Sequence, residues 1–219
     1  MDINGKKAIV FGGTSGIGLS ATQMLSDKGA HVIALSRNPE KVRNVPKNVT
    51  TKKMNVLDRD ALEQFFQEVG EYDILVNSAT GGARAVGPFL SMDLDGYRAS
   101  FDKLWGYTNV VRYGTKHLKD NGNIVLVSGS PARKCRPGQI AISSVGGAVE
   151  AFARGIAPEI APKRINIVSP GIIDTPMSPL QGKEREDYYK NTTSNNLIPR
   201  AGTPDEVATG IIFAIENEF

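Results

Sequence analysis

A strand-like run, Lys7-Ala8-Ile9-Val10-Phe11, leads directly into Gly12-Gly13-Thr14-Ser15-Gly16-Ile17-Gly18, after which the apolar residues recur with helical spacing. This strand, glycine loop and helix constrain the fold more than any other part of the chain. In a parallel α/β sheet the chain leaves the carboxyl end of a strand and enters a helix whose first N–H groups have no intrahelical partner. Gly12 permits the sharp exit, Gly16 lets the backbone approach a pyrophosphate, and Gly18 allows close packing of helix on strand. Thr14, Ser15 and Ile17 complete the expected cradle, with the positive end of the helix dipole behind it. A glycine triplet alone is a weak signal. Its position between a strand and a helix, with a second strand following over 31–36, makes it a nucleotide-binding signal.

Beyond this unit, short apolar runs alternate with longer helical patterns, as in a parallel sheet covered on both faces. Strands are expected near 6–11, 31–36, 50–54, 72–77, 123–128 and 164–169, with helices over 17–28, 58–69, 95–118, 142–160 and 204–216. Thr203, Pro204 and Glu206 form a helix-start signature ahead of the last. No repeat, linker or low-complexity stretch divides the 219 residues, so the expectation is α/β: a Rossmann-type doubly wound parallel sheet in three layers, a single domain over 1–219.

The net charge of +3 comes from basic and acidic residues scattered along the chain, so no patch for nucleic acid or a membrane surface is expected. No apolar run approaches the roughly 18 residues that span a bilayer. The single cysteine, Cys135, excludes an intrachain disulfide, and the N-terminus shows no signal-peptide pattern; a cytoplasmic location is the expectation. Two distant histidines and one cysteine give no metal-ligand cluster.

The end of the second strand bears on which nicotinamide cofactor fits. An acidic residue there holds a free ribose 2′-hydroxyl, whereas a 2′-phosphate calls for a cation. This chain has Ser36-Arg37-Asn38. A guanidinium can fork onto phosphate oxygens and Ser36 can add a hydrogen bond, so NADP(H) is preferred and NAD(H) stays possible. The competing reading of Arg37 is a solvated loop residue.

With these features in hand, the chain resembles the short-chain dehydrogenase/reductase family over nearly its whole length. The Gly-x-x-x-Gly-x-Gly spacing is one match. Asn77-Ser78-Ala79-Thr80 stands where the family has Asn-Asn-Ala-Gly, and 166–177 is similar to the family's segment along the nicotinamide. The resemblance implies that Asn55 and Val56 bracket the adenine, that Asn77 and Ala79 follow the fourth strand at the cofactor, and that Pro170 and Gly171 belong to the nicotinamide segment. It further implies that the Ile173 backbone and Thr175 meet the carboxamide end, that a lid lies near 176–197, and that the protein is a homodimer or homotetramer. The resemblance also implies a final strand after 216; the expectation is that this sequence is incomplete there, the alternative being that a partner covers that sheet edge.

The same resemblance exposes a departure. The family's hydride transfer between nicotinamide and a carbonyl or alcohol uses a tyrosine acid/base and a lysine four residues later. Those positions here hold Ile142 and Gly146; Gly129 falls at the family's serine and Lys103 at its asparagine. One reading keeps a small-molecule carbonyl or alcohol substrate and moves the proton donor to Lys103, with Ser128 or Ser130 on the substrate oxygen. A lysine beside a cationic nicotinamide and partly desolvated would have a lowered pKa suited to that work. Cys135, Ser143 and Arg133 are weaker candidates. A solvated lysine on a helix face is the bland alternative. The contrasting function is a catalytically inactive NADP(H)-binding sensor or partner subunit; a third, isomerisation or elimination, has no residue pair in its favour. Tyr188 and Tyr189 lie in the lid stretch, and Trp105 and Tyr107 on the long helix are expected to pack.

Overall fold

Six parallel strands lie side by side in the order β3-β2-β1-β4-β5-β6, so the first strand sits in the middle of the sheet. The structure is a computed structural model that describes residues 1–218 except 43, 44 and 81–83. The strands are β1 Lys7–Phe11, β2 His31–Ser36, β3 Val49–Lys53, β4 Tyr72–Asn77, β5 Leu118–Val127 and β6 Arg164–Val168. Alternate residues of each strand feed two different cores. Ala8 and Val10 point to the layer holding α1 (Gly16–Asp27) and α7 (Pro204–Glu216). Ile9 and Phe11 face α2 (Arg59–Val69), α4 (Asp102–Gly114) and α5 (Ile140–Ile160). Burial on both faces explains why β4 is buried at every position and reads as one apolar run rather than an alternation.

The winding reverses between β1 and β4, which are hydrogen-bonded neighbours although β2 and β3 separate them in sequence. A crevice therefore opens above their carboxyl ends. Asp58 caps α2 by accepting from the Ala61 N–H at 3.0 Å. Thr203 and Glu206 form the reciprocal capping box at α7, with bonds of 3.2 and 2.8 Å.

Two expectations need correction. The helix expected over 95–118 is two helices, α3 (Leu94–Ser100) and α4, because the Phe101 N–H turns back tightly to the Arg98 carbonyl at 3.0 Å. It also stops early, at Gly114, and Leu118 already pairs with Tyr72 as the first residue of β5. The Tyr72 hydroxyl donates to the Gly114 carbonyl at 2.9 Å, which caps the end of α4 with a tertiary bond invisible in local pattern. Secondly, α5, 21 residues long, is apolar and long enough to cross a membrane by length and composition. Its Val145, Val149 and Ala153 pack into the protein interior. The lid stretch contains α6 (Gly182–Thr193), with Tyr189 and Thr193 buried.

Candidate functional site

A cleft of about 860 Å³ runs across the carboxyl ends of the strands, lined at one end by the glycine loop and at the other by Lys103. The loop is built by exclusion of side chains. Gly12 has φ +75°, and a Cβ there would stand 2.7 Å from Ser78 Oγ and 2.8 Å from the Ala79 nitrogen. A Cβ on Gly18 would fall 2.1 Å from the Gly12 carbonyl oxygen. The loop, the start of α1 and the end of β4 thus touch backbone to backbone. Ser15 is the N-cap of α1 but makes no capping bond with its side chain, and the first turn carries no acidic residue. Ser15, Gly16, Ile17 and Gly18 line the cleft, so a helix start uncapped by side chain or carboxylate opens onto it. That arrangement suits a phosphate.

Ser36 and Arg37 line the cleft at the end of β2, as do Asn55 and Val56 beyond β3. Arg37 is exposed and has no ion pair among the described residues. Thr14 does not line the cleft: it is buried, and its hydroxyl donates to Ser36 Oγ at 2.7 Å, tying the loop to β2. Asn77 is likewise enclosed rather than facing the cleft, its Oδ1 accepting from the Ala79 N–H at 3.1 Å. Its Nδ2 is buried without a partner. Ala79 does line the cleft.

At the other end, α4 lies close to the loop after β3. A Cβ on Gly106 would meet Val56 Cγ2 at 2.5 Å, and Asn109 Nδ2 donates to the Val56 carbonyl at 3.1 Å. This fixes the face of α4 that carries Lys103. The Lys103 amine lies 3.4 Å from the Ser128 carbonyl and 5.3 Å from the centre of the Tyr107 ring. Burial, reinforced by the charge of Arg84, lowers its pKa to about 7. Arg84 lines the same cleft with its side chain exposed to solvent there, and desolvation by the cleft walls lowers its pKa.

Of the serines, Ser128 lines the cleft, but its hydroxyl donates to the Gly146 carbonyl at 3.2 Å. Ser130 is not brought in: it starts a short turn over Ser130–Ala132, and its N–H donates to the Pro170 carbonyl at 2.8 Å. Arg133 is taken up by buried Glu150, Nε to carboxylate 3.0 Å, and Cys135 is exposed outside the cleft. Ser143 does not line it either. Ile142 and Gly146 both do.

Pro170, Gly171, Ile173 and Thr175 form the wall beyond β6. The Asp174 N–H donates to the Gly202 carbonyl at 2.9 Å, and the Gly202 N–H donates to the Ile172 carbonyl at 2.9 Å, which anchors this wall ahead of α7. The sequence reading missed Arg185. From α6 it donates to the carbonyls of Thr175 at 2.7 Å, Ser178 at 3.1 Å and Leu180 at 3.0 Å, and pairs with the Asp174 carboxylate. Arg185 thereby fastens 174–180 beneath α6, which brings Tyr188 and Tyr189 over the cleft. A single arginine in a polar helix carries no sequence signal for such a clamp.

Residues 12–219 match the family described as enoyl-(acyl carrier protein) reductase. The chain is similar to a 3-oxoacyl-[acyl-carrier-protein] reductase FabG of Thermotoga maritima, 32% identical with 100% of this chain and 93% of the relative covered. It is 27% identical to carbonyl reductase family member 4 of Danio rerio, covering 97% and 92%. Among solved structures, a short chain dehydrogenase from Burkholderia cenocepacia in complex with NADP superposes with a TM-score of 0.82 at 26% identity, covering 99% of this chain and 86% of that one. A short chain dehydrogenase/reductase family protein gives 0.85 at 25%, covering 98% and 91%.

Proposed function

The chain belongs to the short-chain dehydrogenase/reductase family, and from that premise we propose an NADP(H)-dependent oxidoreductase that acts on a carbonyl/alcohol pair with Lys103 as proton donor. The observation that carries this reading is one cleft shared by the glycine loop, Arg37 and Lys103. The reductase names of the relatives and the NADP complex among the similar structures support it.

The uncapped start of α1 and the loop around Gly16 would hold a pyrophosphate through backbone N–H groups. Arg37 and Ser36 would hold a 2′-phosphate, the guanidinium with charge-assisted hydrogen bonds. Asn55 and Val56 would meet the adenine, and Pro170, Gly171, Ile173 and Thr175 the nicotinamide. When bound, the reduced nicotinamide supplies a hydride to the carbonyl carbon. The Lys103 ammonium would give its proton to the carbonyl oxygen to complete the alcohol, and the neutral amine would take up a proton from the buffered solvent. A pKa of about 7 equips the amine for both directions near neutral pH. We read Ile142 and Gly146 as standing where the family keeps its tyrosine and lysine; Lys103 takes the donor role, while Tyr188 and Tyr189, which also line the cleft, belong to α6.

NADPH and NADH titrations followed by a panel of carbonyl compounds test the reading. Tight NADPH binding with turnover that disappears in Lys103→Met supports it. Ile142 and Gly146 on the cleft wall favour a second reading, an inactive sensor or partner subunit; tight NADPH binding without turnover selects that one. No binding overturns both.

A further inference from the structure

The cleft carries three charged side chains, Arg37, Arg84 and Lys103, and no Asp or Glu lines it among the described residues. Arg37 lies with Ser36 at the β2 end, beside the glycine loop. Arg84 and Lys103 line the same cleft, with no carboxylate among its described lining residues to offset either charge, and the arginine's charge adds to the lowering of the lysine's pKa. Neither makes an ion pair among the described residues; the Lys103 amine lies 3.4 Å from the Ser128 carbonyl and 5.3 Å from the centre of the Tyr107 ring. Two neighbouring cations in a partly desolvated cleft repel each other, and an anion between them relieves that cost.

Arg84 is held there by its own segment. The Ala85 N–H donates to Ser100 Oγ on α3 at 2.9 Å, and the Gly87 N–H donates to the Gly138 carbonyl ahead of α5 at 3.0 Å. The chain just after Arg84 is thus tied to α3 and to the segment ahead of α5. Ile142, Val86 and Met177 add apolar wall to the same cleft.

We propose that this end of the cleft recognises an oxyanion: the carbonyl substrate carries a carboxylate or a phosphate, which Arg84 holds while Lys103 addresses the neighbouring carbonyl oxygen. A planar guanidinium can fork onto either group, so the shared feature is two acceptor oxygens of one charged group. The proposal rests on the oxidoreductase reading above for its carbonyl, and on the Arg84–Lys103 pair for its anion.

The test is calorimetric titration of the full chain saturated with NADP⁺, using oxamate as the carboxylate probe and glycerol 3-phosphate as the phosphate probe. Binding of either probe is expected, weakened about tenfold or more in Arg84→Gln and partly restored in Arg84→Lys, with NADP⁺ affinity unchanged in both variants. Which probe binds identifies the anionic group. Failure of both probes to bind while NADP⁺ binds normally overturns the inference and leaves the cofactor reading standing. Probe binding that NADP⁺ abolishes, or a loss of NADP⁺ affinity in Arg84→Gln, overturns it by assigning Arg84 to the cofactor. If the chain does not bind NADP⁺, the oxidoreductase reading fails and this inference fails with it.

Discussion

The Lys103 amine lies 5.3 Å from the centre of the Tyr107 ring, and the hydroxyl of that ring donates to the Val127 carbonyl at 2.8 Å. The residues are four apart on α4, so they share a face of the helix. The last residue of β5 therefore fixes the tyrosine, and the tyrosine gives the lysine a π-face to rest on. Burial drives the tyrosine's pKa upward against the opposing charge of Arg84, and it stays a neutral hydrogen-bond donor.

Tyr107→Phe keeps the ring and removes the donor from a buried carbonyl, which costs about 1–3 kcal/mol. Thermal unfolding should shift down by several degrees, since each kcal/mol moves Tm by roughly 2–4 °C at this size. An unchanged melting curve would show that the Val127 carbonyl finds another donor.

Lys103→Met should lower carbonyl reduction by about 10²–10⁴-fold, the usual worth of a positioned general acid, while leaving NADPH affinity within a factor of a few. Steady-state rates and fluorescence titration of the same preparation separate the two. Full activity in the variant would remove Lys103 from the chemistry.

The same lysine sets a pH dependence. With a pKa of about 7 it holds its proton below that pH, so kcat/KM for reduction should fall as pH rises through about 7. Oxidation of the alcohol, which needs the free amine, should rise through the same range. Stability follows its own sign. The folded pKa lies below the ordinary value of 10.5, so between about 7 and 10.5 the unfolded chain binds more protons and this group's contribution to stability rises with pH. The charged neighbour in play is Arg84, and Tyr107 is neutral throughout. Rate profiles that are flat from pH 6 to 8 would contradict the assignment.

Arg37→Ala should weaken NADPH by about 10–100-fold, the range for losing charge-assisted hydrogen bonds, and leave NADH nearly unaffected. Equal losses for both cofactors would point to a role in folding the loop instead.

Arg185→Ala releases the carbonyls of Thr175, Ser178 and Leu180 together. The exposed pair with Asp174 is worth little by itself. The expected outcome is a higher KM for the carbonyl substrate and faster proteolysis within 176–182, with little change in NADPH affinity. Unaltered proteolysis would show that α6 holds this segment without the clamp.

Much of the architecture was legible before the structure because it rests on local regularities. Apolar runs marked the six strands, the Thr203–Glu206 signature marked the start of α7, and the glycine spacing marked the turn above β1. Those signals come from residues a few positions apart, where backbone sterics and periodicity act directly. The glycines at 12 and 18 are forced by contacts of under 3 Å that tolerate no side chain.

What the tertiary structure alone decided are relations between distant segments. Thr14, read as part of the cradle, is buried on Ser36, and Ser130 is drawn off to Pro170, because bonds across the sheet's end claim them first. The end of α4 at Gly114 is set by Tyr72, 42 residues earlier in the chain. Lys103 and Arg84 come to line one cleft, and Arg185 becomes a clamp, only when helices and loops from separate crossovers meet above the strands. Local pattern determined which elements form and roughly where; which side chains share one desolvated space was settled by the packing of those elements on the sheet.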